Sequence, residues 1–138
     1  MGKFLLFLQK LKESDMLTFR IEARKTSPEV IIDKKNHSID ISGSSTFQNT
    51  SWFYSNVLKW AIAFNQEGAK TTTINLRLKK INDNSTKWIM LIMRKMATII
   101  PGHNVVVNWY YQPENVNMQI SGERLKLNSL IPVNLIAA

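Results

Sequence analysis

The sequence predicts a single-domain α/β sandwich, a mixed β-sheet with two main helices packed on it. Three observations lead there. The 138 residues fit one domain. Two segments carry apolar residues at helical spacing, and β-branched, alternating runs lie before, between and after them. A helix that joins two strands of one sheet is a crossover, right-handed by default.

In chain order, "LTFRIEA" (17–23) alternates and reads as a first strand. "VIID" (30–33) and "SIDIS" (38–42) flank the polar "KKNH" and read as a hairpin, followed by a loop over 43–51. Trp52, Phe53, Val57, Trp60, Ala61 and Phe64 recur at three- and four-residue steps, a helix with Thr50 or Ser51 as its cap and Gly68 as its stop. "TTTINLRL" (71–78) puts Thr72, Ile74, Leu76 and Leu78 on one strand face. The second helix presents Trp88, Ile89, Ile92, Met93, Met96 and Ile99, and Pro101-Gly102 ends it. "VVVNWYYQ" (105–112) reads as a central strand, Pro113–Asn115 as a turn and "VNMQIS" (116–121) as a returning edge strand. "ERLKLNSL" suggests a short helix, and "IPVNLI" a last edge strand where Pro132 is tolerated.

The composition narrows function by exclusion. The chain has no cysteine, which rules out disulfides, zinc-thiolate sites and thiol catalysis and suits a reducing compartment. It has five glycines, none spaced as a phosphate loop. His37 and His103 have no partner at metal-ligand spacing and read as exposed loop residues. The few acids are scattered, so paired-carboxylate hydrolysis has no support. No cofactor or metal is expected, and no run approaches the roughly 20 apolar residues of a membrane span. Residues 1–15 read as an N-terminal extension, unstructured or a short amphipathic helix with Leu5, Phe7, Leu8 and Leu11 on one face; residues 16–138 read as the domain.

Net charge is +8. It is uneven: Arg77, Lys79, Lys80, Lys87, Arg94 and Lys95 flank Asp83, the one acid among them. Such charge fits an acidic partner or a solubilising surface; the alternative function is a basic nucleic-acid-binding module, with "NWYY" (108–111) as a stacking platform rather than core.

The most unusual stretch is "INDNSTKW" (81–88), with Asn82, Asp83, Asn84, Ser85 and Thr86 in one polar run before the second helix. Capping accounts for one or two of them. A helix N-terminus also attracts anions, so a carboxylate at Asp83 or a phosphate on a nearby hydroxyl is favoured there and makes a charge switch.

From about Thr26 to Leu135 the chain resembles the SiaC-type regulatory phosphoproteins of bacteria. The resemblance rests on an ordered set: "TSPEVIID", a Gly-Ser segment, "FYSNVLKW", "NLRLKKINDNSTK", "VVVNWYYQ", "NMQISGE" and "IPVNLI". It implies a fold like that of the anti-anti-sigma (STAS-like) regulators, a cytoplasmic location and no catalytic activity. Its members are phosphorylated in an Asn-Thr-Ser-Ser run by a dedicated kinase and dephosphorylated by a phosphatase. The unmodified form activates a diguanylate cyclase, raising cyclic di-GMP and promoting biofilm. Asn82 and Lys87 match the motif and Ser85 its second serine, but the acceptor threonine falls on Asp83 and the first serine on Asn84. Two consequences follow in parallel: Asp83 fixes a phospho-like state, or Ser85 or Thr86 is a shifted acceptor. Elsewhere Phe47-Gln48-Asn49 stands for the family's Pro-Glu-Asn, Asn56 for a proline and Arg124 for an aspartate. The expected site is Asn49 with residues 82–87, binding protein partners through the loop and helix around 82–95.

Overall fold

The computed structural model describes residues 17–64, 71–99 and 102–138. Its elements are β1 (Thr18–Ile21), β2 (Glu29–Asp33), β3 (Ser38–Ser45), α1 (Thr50–Phe64), β4 (Thr71–Ile81), α2 (Asp83–Ile99), β5 (Asn104–Tyr111), α3 (Val116–Asn128) and β6 (Val133–Ala137). The six strands lie in the sheet in sequence order. β2–β3 pairs antiparallel, as the polar turn at 34–37 dictates, β1–β2 is antiparallel too, and β3–β4, β4–β5 and β5–β6 pair parallel. Crossovers of one hand that always step in the same direction leave their helices on the same side of the sheet.

The core bears this out. Val30, Ile41 and Leu76 align across the strands, as do Ile32, Ile39, Ile74 and Val107, and all are buried. α1 and α2 add Tyr54, Val57, Ala61, Ile89, Ile92, Met93 and Met96 to the same cluster. The opposite face carries a polar row: Asn108 Nδ2 donates to Asn75 Oδ1 and Asn134 Nδ2 to Asn108 Oδ1, each at 3.0 Å. Two expected core residues sit further out. Trp88 is half-buried and Ile99 is exposed, because α2 has turned past the core at both positions.

The mixed sheet and both expected helices are present, but the returning strand at 116–121 is not. In its place is α3, a third helix on the core side among the described residues. Val116, Met118 and Ile120 alternate and so imitate a strand, yet Val116 and Ile120 are exposed and the buried set is Met118, Gly122 and Leu125. That spacing is helical. Gly122 belongs to it because it lets α3 approach the sheet: a Cβ there would stand 2.5 Å from Trp109 Cδ1. Alanine in a helix interior normally improves on glycine by about 1 kcal/mol. Here Gly122→Ala is expected to destabilise by about 1–3 kcal/mol through overpacking, measured by urea unfolding against the unchanged chain.

A second correction concerns the two histidines. His103 is buried, with Nε2 2.6 Å from Thr72 Oγ1, and the half-buried His37 takes a positive φ of 51° in its turn. The expectations for residues 1–15, and Gly68 as the stop of α1, lie outside the described residues.

Candidate functional site

Three parallel strands end at one edge of the sheet, and within a few residues each runs into a helix: Ser45 before Thr50, Ile81 before Asp83, Tyr111 before Val116. The free N–H groups of α1, α2 and α3 therefore gather along this edge, where they favour negative charge. A register shift adds to the effect. Ser44 pairs with Lys80 and Gly43 with Leu78, so Lys79 has no opposite number on β3. Gly43 accommodates the irregularity with φ +107°, and Lys79 and Lys80 both stay in solvent.

Two asparagines stitch the edge together in the same manner. Asn82 is the cap of α2: its Oδ1 accepts from Ser85 N at 2.8 Å while its Nδ2 donates to Phe47 O at 3.0 Å. Its backbone N–H donates to Ser45 O at 2.9 Å, and its carbonyl receives Thr86 N at 3.0 Å and Thr86 Oγ1 at 3.1 Å. Asn115 repeats the device one helix along. Its Oδ1 accepts from Met118 N at 3.3 Å and its Nδ2 donates to Lys79 O at 3.2 Å, satisfying the carbonyl that the register shift leaves over.

Once Asn82 is the cap, helical phase sorts the rest of the polar run. Ser85 points inward and is fully buried; Thr86 is half-buried; Asp83, Asn84 and Lys87 face solvent. Asp83 occupies the first helical position, where a carboxylate meets the positive end of α2. Asn49 is exposed at the start of α1, its carbonyl 3.5 Å from Phe53 N, so the capping position there is Asn49 and not Thr50 or Ser51. The Asn82–Phe47 bond holds loop 46–49 against the start of α2, which brings Asn49 to the same edge as residues 82–87.

Beneath the surface, Ser85 joins two hydroxyls that sequence reasoning missed, those of Ser45 and Tyr54. Ser45 Oγ lies 2.6 Å from Tyr54 Oη and donates to Ser85 Oγ at 2.7 Å; Ser85 Oγ donates to Ser45 O at 3.1 Å. Each hydroxyl has one proton, so Ser45's is spent on Ser85 and Tyr54 must be the donor to Ser45. The chain of bonds locks β3, α1 and the first turn of α2 in one arrangement. Burial pushes the Tyr54 phenol up to about 12, with the Ser45 and Ser85 hydroxyls acting the other way. A folded-state value above the ordinary 10.0 means that this contribution is whole below pH 10 and is lost as pH rises through about 12. We expect about 2–3 kcal/mol of stability to disappear across that window, given 1.36 kcal/mol per unit. Chemical denaturation as a function of pH would show it, and Tyr54→Phe should flatten the curve.

The six bases around Asp83 do not form one patch. Lys79, Lys80 and Lys87 share its edge. Arg77 lies on the polar sheet face, 3.6 Å from Asp40 Oδ1 and 4.1 Å above the Tyr110 ring, and Arg94 and Lys95 are about 16 Å further along α2 at 1.5 Å per residue. Trp109 is core, and Tyr110 is engaged by Arg77, so "NWYY" does not present a bare run of rings. Among the described residues no three His, Asp or Glu side chains group as a metal site, and no helix is long and apolar enough to cross a membrane.

Comparison with known proteins agrees with this architecture. Residues 21–138 match the family model described as SiaC family regulatory phosphoprotein. The fold is similar to that of apo-SiaC from Pseudomonas aeruginosa, with a TM-score of 0.77 at 23% identity over 88% of this chain and 100% of that one. It is also similar to a structure of the diguanylate cyclase SiaD in complex with its activator SiaC from the same organism, at 0.77 and 21% over 87% and 99% of the two chains. No curated protein matches the sequence.

Proposed function

The chain belongs to the SiaC family of regulatory phosphoproteins, and from that premise we propose that it is a cytoplasmic signalling adaptor without catalytic activity, whose domain spans residues 16–138. It binds protein partners through loop 46–49 and the start of α2, with a diguanylate cyclase as the target it activates and cyclic di-GMP output, hence biofilm, as the consequence. A kinase and a phosphatase act in the same pathway. The cyclase is supported by the similar structure in which SiaC sits on SiaD as its activator.

One observation carries the reading of the site. Asp83 is exposed at the first position of α2, on the edge where three helices begin and beside Lys79, Lys80 and Lys87. A relative with a hydroxyl there can add and remove charge; this chain holds a carboxylate permanently. Asp carries one charge against about −1.5 to −2 for a phosphate, so the imitation is partial and the chain rests toward the non-activating state. Asp83→Thr and Asp83→Ala are expected to tighten binding to the host's diguanylate cyclase about two- to fivefold, the equivalent of 0.3–1 kcal/mol for one charge at a helix end. Titration calorimetry would decide, and equal affinities for all three chains would remove the switch from this position.

A further inference from the structure

β6 is the last strand of the sheet, and among the described residues nothing pairs with its outer edge. The backbone shows which groups lie there. Val107 N donates to Pro132 O and Ala138 N to Tyr111 O, so Pro132, Asn134, Ile136 and Ala138 turn their backbone polar groups toward β5. Val133, Leu135 and Ala137 turn theirs outward. Val133 is buried, Leu135 half-buried and Ala137 exposed, which leaves the edge open at Leu135 and Ala137.

Proteins block such an edge with charge, proline, a bulge or a very short strand. β1, at the opposite edge, is four residues long and carries Arg20. β6 has no such guard. "IPVNLIAA" (131–138) holds no charged side chain, in a chain of net charge +8. Its pairing with β5 runs without a register shift, and Pro132 turns its missing N–H toward β5, where it blocks nothing from outside. The side chains point the same way. Asn134 ends the amide row on the open sheet face, yet Ile136 on that same face is apolar. It stands opposite Tyr110 on β5 and has no opposite number on its outer side.

We propose that this edge pairs antiparallel with the same edge of a second copy, about a two-fold axis at Ile136. A second copy is the occupant because the strand is its own complement in this register. Leu135 of each copy faces Ala137 of the other and exchanges both backbone hydrogen bonds with it. Ile136 meets Ile136 of the second copy as a non-hydrogen-bonded pair, with a Cα separation of about 4.5 Å. Tyr110 and Ile136 of both copies then form one apolar row across the axis. No like charges meet at the seam, and the buried Val133 is not used. The seam is small, so the association is weak, on the order of micromolar. It involves none of residues 46–49 or 82–87, stands apart from the reading of Asp83, and is tested without a cyclase.

Sedimentation equilibrium of the full chain, from about 10 μM to 1 mM, should show the 15.9 kDa mass doubling as concentration rises. Ile136→Lys sets two like charges face to face. Ala137→Pro removes an outward N–H and leaves the β5 ladder whole. Each should raise the dimer Kd at least about tenfold, with circular dichroism unchanged. In the unsubstituted chain, amide exchange at Leu135 and Ala137 should slow with rising concentration, a readout that no variant's folding can confuse. Because the chain lacks cysteine, the register can be read directly. Ile136→Cys should oxidise to a crosslink between copies. Asn134→Cys should not, because it lies about 14 Å along the strands from its equivalent. A monomer at every concentration, a dimer that neither substitution weakens, or exchange at both amides that ignores concentration would overturn the proposal. So would a crosslink through Asn134→Cys and not through Ile136→Cys.

Discussion

Trp109→Ala is expected to lower the unfolding free energy by about 3–5 kcal/mol, the largest loss from any single truncation in the sheet. The indole is 1% exposed and lies on β5, with β4 and β6 on either side of it. It is opposite Leu76 on β4 and Leu135 on β6, and Gly122 of α3 lies against its ring. Its Nε1 donates to Met118 O at 2.9 Å, so the side chain joins the sheet to α3 by a polar bond as well as by area. Alanine leaves a cavity between two elements that cannot both close on it, because α3 is held at its start by Asn115. Urea denaturation should report the loss as a shift of midpoint at nearly constant slope. A shift under about 1 kcal/mol would mean that α3 collapses into the space.

The second large effect is expected at Ser85. Ser85→Asp should cost about 3–5 kcal/mol, the scale of an uncompensated buried charge, because the site is fully buried and Ser45 Oγ offers it a single proton. Thr86→Asp, half-buried in the first turn, should stay within about 1 kcal/mol. The sign with pH separates charge from shape. A carboxyl in that site titrates above its ordinary value, so the Ser85→Asp penalty should shrink as pH falls toward 4 and grow as it rises. Melting both variants at pH 4 and 7 measures this. If Ser85→Asp melts like the unchanged chain at neutral pH, the hydroxyl chain does not hold α2 and Ser85 is open to modification. Otherwise a phosphate on Ser85 is incompatible with the folded start of α2, and Thr86 is the one of the two shifted acceptors that keeps any exposure.

Much of this was legible before any coordinates. Alternation located β2, β4 and β5, and three- and four-residue spacing located α1 and α2, because each of these elements buries one continuous face. Only the second half of α3 was legible, as the short helix read at "ERLKLNSL"; its first half was not, since its contact with Trp109 runs through Gly122, a residue that reads as a breaker when its partner is unknown. Ser45 was assigned to a loop because the last residues of β3 pair through an irregularity that alternation cannot show. His103 looked exposed because it follows Pro101-Gly102, and only the β4–β5 register brings Thr72 to it. For the candidate site, the sequence supplied the polar run and its acid. What it withheld was the phase of α2, which depends on Asn82 being the cap, and that depends on a carbonyl of Phe47, 35 positions earlier.

The sequential strand order has a bearing on how the chain is made. Every strand docks beside the one synthesised just before it, so the sheet can grow outward from the β2–β3 hairpin as the polypeptide leaves the ribosome, with no gap kept open for a later arrival. Trp109 arrives with β5, and its cover follows in chain order, first α3 and then β6, so this indole stays open until those two elements dock.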